Sequence, residues 1–512
     1  MLRLNIKLIH RLRATMYSLL TRALPVEQQE TLLYKTCAML VGALVLVAAT
    51  SAGSSSTMSP PVNGQLEAII KRELPANCSL TLQVVDLESG RVILEKNPDL
   101  PLIPASTMKV VTSAAALQVL HPDFTFVTEV LADSVRNESV GNLYVRGGGD
   151  PYLVNEELFA LTRALKDKGL QEIRGSIVVD DSYFAPEPPL DENEKLGLRS
   201  YHAPYSALSL NFNSIKTLVQ PASRSGQPAN IIIDPISEYS IVEANVKTVK
   251  GSAPEDVKIT KRLAPGGREV IRLDGTIGAQ APGWRRYVNV ALPSLYFGEV
   301  FKEFLLREGV RVTGKVVRGK VPSAAVSYHE FNSRPLGGIV YWLNKLSNNF
   351  MAEQISMAMG AHVHGAPGTR EKGLAVIRKH LLSCGVSEEC FSLSEASGLS
   401  RNNRLSASAL VRVLLQASRD FTYNAEYMAS FGVAGVDGTL KEKFTDATIK
   451  RRMRAKTGTL KGVNALAGYG ISPSGKSFVL AIIVNNLEKG TGLIDFGDRI
   501  VRAIMDLPAL GR

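Results

Sequence analysis

Pro104-Ala105-Ser106-Thr107-Met108-Lys109 sets a serine hydroxyl and a lysine amine three residues apart, ahead of a Gly- and Pro-free run of helix formers at 110–120. Spacing i, i+3 puts both side chains on one helix face. A neutral lysine there can take the hydroxyl proton, and the helix N-terminus favours negative charge developing nearby. A lone Ser-x-x-Lys is more often an ordinary helix start with an exposed lysine, so its meaning depends on what accompanies it. Ser347-Asn348-Asn349 breaks an apolar-periodic stretch. It reads as a helix boundary with capping, or as a loop that points a hydroxyl and an amide into a cleft. Lys456-Thr457-Gly458-Thr459 lies in a β-rich run. It reads as an exposed edge strand, or as a strand that pairs with an extended substrate. In the second case Gly458 admits a close backbone, and Lys456 and the two threonine hydroxyls grip a terminal carboxylate.

The elements that must position these residues follow from periodicity. Runs 80–87 and 91–95 flank Glu88-Ser89-Gly90, a hairpin pattern, and the Ser106 helix follows directly. From about 124 to 290 short β-rich runs alternate with turns, among them 143–146, 176–180, 231–234 and 287–291, with one clear helix at 158–168. Gly147-Gly148-Gly149-Asp150-Pro151 lacks the Gly-Lys-Ser/Thr ending of a phosphate loop and reads as a turn. Helical periodicity returns at 295–308, 336–346, 350–359, 374–382 and 408–417. Strands then recur at 454–460, 466–471 and 477–484, before a last helix at 495–505. Strands at both ends with helices between predict an α/β sandwich whose antiparallel sheet has helices on both faces, with the β-rich block looped out as one or two small domains.

Ser-x-x-Lys and Lys-Thr-Gly each occur once, in the order S-x-x-K, S-x-N, K-T-G. That set resembles the penicilloyl-serine transferase superfamily of penicillin-binding proteins and class A β-lactamases. The 241 residues between Ser106 and Ser347 are similar to the long gap of class C penicillin-binding proteins, the S13 peptidases. Supporting stretches are Ala207-Leu208-Ser209-Leu210-Asn211, Ser397-Gly398-Leu399-Ser400-Arg401-Asn402 and Gly435-Val436-Asp437-Gly438-Thr439-Leu440. Before Ser397 the family usually has Asp-Gly, and this chain has Glu395-Ala396.

The resemblance implies a transpeptidase-like fold and a serine-type D-Ala-D-Ala carboxypeptidase with D,D-endopeptidase activity. Its substrates would be peptidoglycan stem peptides and cross-links, and β-lactam antibiotics would inhibit it. Ser106 would be the nucleophile and Lys109 the base, its pKa lowered by burial and by the charge of Lys456. Ser347 would relay a proton and Asn349 would bind the substrate amide. The strand Lys456, Thr457, Gly458 and Thr459 would hold the carboxylate, with the N–H groups of Ser106 and Thr459 as oxyanion hole. No metal or organic cofactor is called for. A secreted serine β-lactamase or esterase would use the same residues, and a non-catalytic wall-binding scaffold is the other alternative.

Composition is that of a globular protein: 512 residues, 45% hydrophobic and 21% charged, with a formal net charge of +11. Six basic and two acidic residues in 1–52 account for +4 of that charge. A basic surface suits an anionic polymer such as cell wall. No basic cluster interleaves with aromatics, which argues against nucleic acid. The apolar run 36–50 follows Arg3, Lys7, Arg11, Arg13, Arg22 and Lys35 and precedes small residues. This is the order of an export signal, shorter than the ~20 residues of a spanning helix. It predicts a periplasmic protein cleaved near 49–52; an uncleaved membrane anchor is the alternative. Cys384 and Cys390, six apart, are expected to close a small disulfide. The expected divisions are a signal at 1–52, a linker at 53–63, catalytic parts at 64–123 and 294–512, and the inserted block at 124–293. Oligomeric state is not legible.

Overall fold

The computed structural model describes residues 64–74, 77–186, 198, 202–252, 256–487 and 493–506. The expected signal and linker lie outside them. Among the described residues no helix is long and apolar enough to cross a membrane.

The central strand, Ser477–Asn485, reads SFVLAIIVN and is buried along nearly its whole length. Side chains alternate across a strand, so such a run must be covered on both faces. Phe478, Leu480, Ile482 and Val484 point into one cluster with Ile500, Val501 and Ile504 of the C-terminal helix, Leu493–Met505. Val479, Ala481 and Ile483 point into the other, among the central helices. The sheet around it runs in the order Val92–Lys96, Ser79–Asp86, Ser477–Asn485, Val463–Ile471, Met453–Leu460, Gly432–Val433. Every neighbour is antiparallel. Strands from both ends of the chain thus share one sheet. Its inner face carries the helix Met108–Leu120, which packs against Leu336–Leu346, Asn349–His364, Arg370–Ser383 and Ala407–Arg419.

The β-rich block forms its own sheets. The largest runs Val316–Arg318, Ile177–Asp180, Leu143–Arg146, Val127–Ala132, Val326–Asn332. The helices Asn155–Asp167 and Pro293–Arg307 bury Leu158, Leu161, Leu165, Tyr296, Phe297 and Phe301 in its core. The helix Pro293–Arg307, which follows the expected boundary at 293, packs in this core. The strand Val326–Asn332 pairs with Val127–Ala132, and periodicity missed it because it is mostly exposed. The chain leaves and returns side by side: Ser333 N–H donates to Phe126 O and Leu336 N–H to Phe124 O, both at 2.9 Å. Gly147 to Asp150 are irregular rather than the expected turn, which begins only at Pro151, and Gly149 N–H donates to Ala207 O at 2.8 Å.

The expected disulfide is absent. Cys384 and Cys390 are free thiols. Cys384, just after a helix end, lies 3.8 Å from His380 Nε2, whereas Cys390 ends a short 3-10 turn and lies 3.8 Å from Asp99 Oδ1. The two elements aim the sulfurs at different neighbours.

Candidate active site

The approach to Ser106 is pinned to the central strand. Asn485 accepts from Ile103 N–H at 2.9 Å through Oδ1 and returns a bond from Nδ2 to Ile103 O at 3.1 Å. Ala105 then takes a left-handed φ of 48°, and a single 3-10 turn, Ala105–Thr107, leads into the helix. The Thr107 hydroxyl closes that turn on Pro104 O at 2.7 Å. Ser106 is left half-buried, with fully buried Lys109 one turn on.

Lys109 Nζ has three partners. It lies 3.1 Å from Ser106 Oγ, 2.7 Å from Asn349 Oδ1 and 2.5 Å from Ser397 O. The last two are carbonyl oxygens and only accept. A neutral amine keeps its two N–H bonds on them, which leaves its lone pair facing the Ser106 hydroxyl. Burial pushes the ammonium down to about 8, against the negative charge of the neighbouring Glu395–Glu353 pair, which pulls it up. Lys456 is held well below its ordinary value by burial, then by the charges of Lys109 and Lys443.

Ser347-Asn348-Asn349 is both a cap and a pointer. Ser347 ends the helix Leu336–Leu346 in the left-handed conformation, φ 56° and ψ 40°. Asn348 caps the next helix, its Oδ1 accepting from Met351 N–H at 3.1 Å. The reversal between them sends Ser347 Oγ to Lys456 Nζ, 2.8 Å away, and Asn349 to Lys109.

Lys456 to Thr459 lie on the strand Met453–Leu460, whose outer neighbour, Gly432–Val433, pairs only with Arg454 and Ala455. Beyond them the edge is unpaired by strands among the described residues. Gly458 lies tight against the turn that carries Ser106. A Cβ there would sit 2.7 Å from Pro104 O and 3.1 Å from Ser106 N, so the glycine lets the strand lie against the nucleophile's own turn. Thr457 Oγ1 bonds Thr439 Oγ1 at 2.7 Å. The loop that carries Thr439 is anchored by Asp437, which pairs with buried Lys345 at 2.7 Å.

All three motifs therefore meet around Ser106. The sequence reading missed Glu353, one turn after Asn349 on the same helix face, and gave no role to Lys345, Asp437 or Thr439. A cleft of about 790 Å³ opens beside Ser347 and Asn349. Trp342 lies on its near wall, and Tyr152, Asn211 and Phe212 of the β-rich block on its far wall.

Known proteins resemble the chain over most of its length. The chain is 31% identical over 469 residues to the D-alanyl-D-alanine carboxypeptidase of Actinomadura sp. strain R39, covering 88% of this chain and 85% of that one. It is 24% identical over 437 residues to the D-alanyl-D-alanine carboxypeptidase DacB of Haemophilus influenzae, covering 82% and 88%. The crystal structure of penicillin binding protein 4 (dacB) from Haemophilus influenzae superposes with a TM-score of 0.74 at 22% identity, over 86% of this chain and 99% of that one. The expected fold, a penicillin-binding-protein-like α/β sandwich with added β-rich parts, is the fold found. The D-Ala-D-Ala carboxypeptidase 3 (S13) family pattern matches residues 62–501, nearly the whole stretch that builds the sheet, the helices and the three motifs, and the chain belongs to that family.

Proposed function

We propose that this chain is a serine-type D-Ala-D-Ala carboxypeptidase and D,D-endopeptidase that cuts peptidoglycan stem peptides and cross-links through a Ser106 acyl-enzyme. The observation that carries the reading is the set of partners around Lys109: two acceptors that take its N–H groups and one hydroxyl left for its lone pair.

Lys109 takes the proton as Ser106 Oγ attacks the carbonyl carbon of the D-Ala–D-X bond. The N–H groups of Ser106 and Thr459 stabilise the oxyanion, an arrangement worth several kcal/mol. Ser347, bonded to Lys456, relays the proton that Lys109 took from Ser106 on to the leaving nitrogen as the C–N bond breaks, which returns Lys109 to the neutral amine. Asn349 holds the substrate amide. Thr457, Thr459 and Lys456 hold the carboxylate of the leaving residue, and Gly458 keeps their strand close to Ser106. Burial disfavours the Lys456 ammonium, and an arriving carboxylate favours it again. Water then hydrolyses the acyl-enzyme.

The protein acts outside the cytoplasm, in the periplasm, after loss of the leader. Its catalytic unit is built from 64–123 and from about 334 onward, with the block between them looped out. The pairing of Phe124 and Phe126 with Leu336 and Ser333 supports that division. β-Lactams inhibit it by acylating Ser106.

The test is a labelled penicillin followed by peptide mapping, with purified muropeptides weighed before and after incubation. Label on Ser106 alone, with loss of terminal D-Ala and conversion of cross-linked dimers to monomers, is expected. Label elsewhere, or rapid turnover of penicillin with untouched muropeptides, overturns the reading.

A further inference from the structure

On the side of Lys109 away from Ser106, two carboxyl groups are buried together. Glu353 is 2% exposed and Glu395 is not exposed at all. Their side chains share a hydrogen bond. Three successive backbone N–H groups close on them: Ala396 on Glu353 Oε1 at 2.8 Å, Ser397 on Glu395 Oε2 at 2.9 Å, and Gly398 on Glu395 Oε1 at 2.5 Å. The Ser397 hydroxyl and Asn403 Nδ2 also donate to Glu395.

The carbonyls of the same segment point the opposite way. Ala396 O accepts from the Thr112 hydroxyl at 2.7 Å, and Ser397 O accepts from Lys109 at 2.5 Å. The 396–398 segment is thus a plate, held by carboxyls on one side and holding Lys109 on the other. Gly398, at φ +84°, lies where a Cβ would be 1.9 Å from Ala105 O, so the plate also touches the turn before Ser106.

We propose that Glu353 and Glu395 act as one buried carboxylic acid–carboxylate unit. It positions Lys109 and is the counter-charge for the ammonium formed when Lys109 takes the Ser106 proton. Two carboxylates in hydrogen-bond contact cannot both ionise in a buried site. Glu395 accepts four hydrogen bonds from its surroundings and is the better anion. Glu353 accepts one N–H and donates its proton to Glu395; burial first, then Glu395, holds its carboxyl well above the ordinary range. Lys109 faces the pair from the nucleophile helix, Arg370 from the head of the next helix and Tyr205 from the β-rich block. Lys456 faces Lys109 from the sheet side. Glu353 and Glu395 touch no reacting atom and are positioning residues.

The inference rests on Lys109 being the base, and the pH profile of penicillin acylation tests both separately. Glu395→Gln keeps the shape and removes the charge. Without that charge the Lys109 ammonium is less stable, so the acid limb should move about one pH unit lower. The weaker base should also lower the plateau by about tenfold or more. Glu353→Gln replaces the shared proton with an amide N–H and should leave the acid limb where wild type has it. A purely structural role would slow both variants and move neither limb. Infrared difference spectra of the wild type at pH 9, above the value of about 7 to which burial raises Asp150, should keep a protonated-carboxyl band that Glu353→Gln removes. The inference is overturned by an unmoved limb in Glu395→Gln, by equal shifts in both variants, or by no such band in the wild type. The last measurement decides the matter should Glu395→Gln fail to fold. Undiminished acylation by Lys109→Ala would instead overturn the base assignment itself.

Discussion

At the scale of single residues, the chemistry depends on how far burial lowers two lysines. An ordinary lysine amine at pH 7 is neutral in about one molecule in 2,500. At about 8, Lys109 is neutral in about one in ten. The rate of Ser106 acylation should therefore climb through pH 7 and level off above about 8, measured with a chromogenic cephalosporin. Lys109→Ala should reduce it to background while the protein still melts cooperatively. Lys456 gives a prediction of the opposite sign. Its ammonium is disfavoured in the free protein, and a bound carboxylate restores it. Binding of a D-Ala-D-Ala-terminated peptide to Ser106→Ala should take up protons near neutral pH. Calorimetry in two buffers of different ionisation enthalpy reads that uptake, and no buffer dependence would argue that Lys456 is already charged. Lys456→Ala should abolish the uptake and, in the active protein, slow cleavage of both linear and cross-linked substrates by about 10–100-fold.

At the scale of elements, the turn before Ser106 and the strand behind it are fitted backbone to backbone. Gly458→Ala should set a methyl 2.7 Å from Pro104 O and prise the strand away from the nucleophile's N–H. Acylation should fall by about tenfold or more with a change of only a few degrees in Tm, because most of the strand's pairing survives. An unchanged acylation rate would show that the oxyanion does not depend on this contact. The three motifs were legible in the sequence because each is a short run of unusual residue types with fixed spacing. The strands around Ser477–Asn485 were legible because apolar residues alternate or run on there. Glu353 was not. Its helix is buried all round, so no polar face set it apart, and its partner lies 42 positions away in a loop. The strand Val326–Asn332 was hidden by its exposure. The thiols misled because a six-residue spacing says nothing of where a helix end aims a sulfur. Cys384 and Cys390 should both react with iodoacetamide in denaturant without reductant, each adding one carbamidomethyl group by mass spectrometry.

At the scale of the whole molecule, the β-rich block is tied back onto the catalytic helices rather than hung from a linker. Ala203 and Ala207 sit in the central core, and Gln354 Nε2 donates to Ser206 O at 2.9 Å. Deleting the block would therefore open the core beside Glu353, and a point change in the shared cleft is the cleaner test of what the block contributes. Trp342 stacks on Tyr152 with ring centroids 6.4 Å apart, and the Arg334 guanidinium lies 5.1 Å from the centroid of the same Tyr152 ring. One aromatic comes from the helix that ends in Ser347, the other from the block. The cleft they line reaches Ser347 and Asn349 but its lining does not include Ser106. A penicillin, which needs only the nucleophile and the three motifs, has little use for it. A cross-linked dimer carries a second stem peptide beyond the scissile bond and has bulk to place there. Trp342→Ala should leave acylation by penicillin within about threefold of wild type and lower kcat/KM on a cross-linked dimer by up to about tenfold, since an aromatic contact is worth about 0.5–1.5 kcal/mol. Equal losses on both substrates would mean that the tryptophan supports the Ser347 turn rather than the substrate, and no loss on either would place the second peptide outside this cleft.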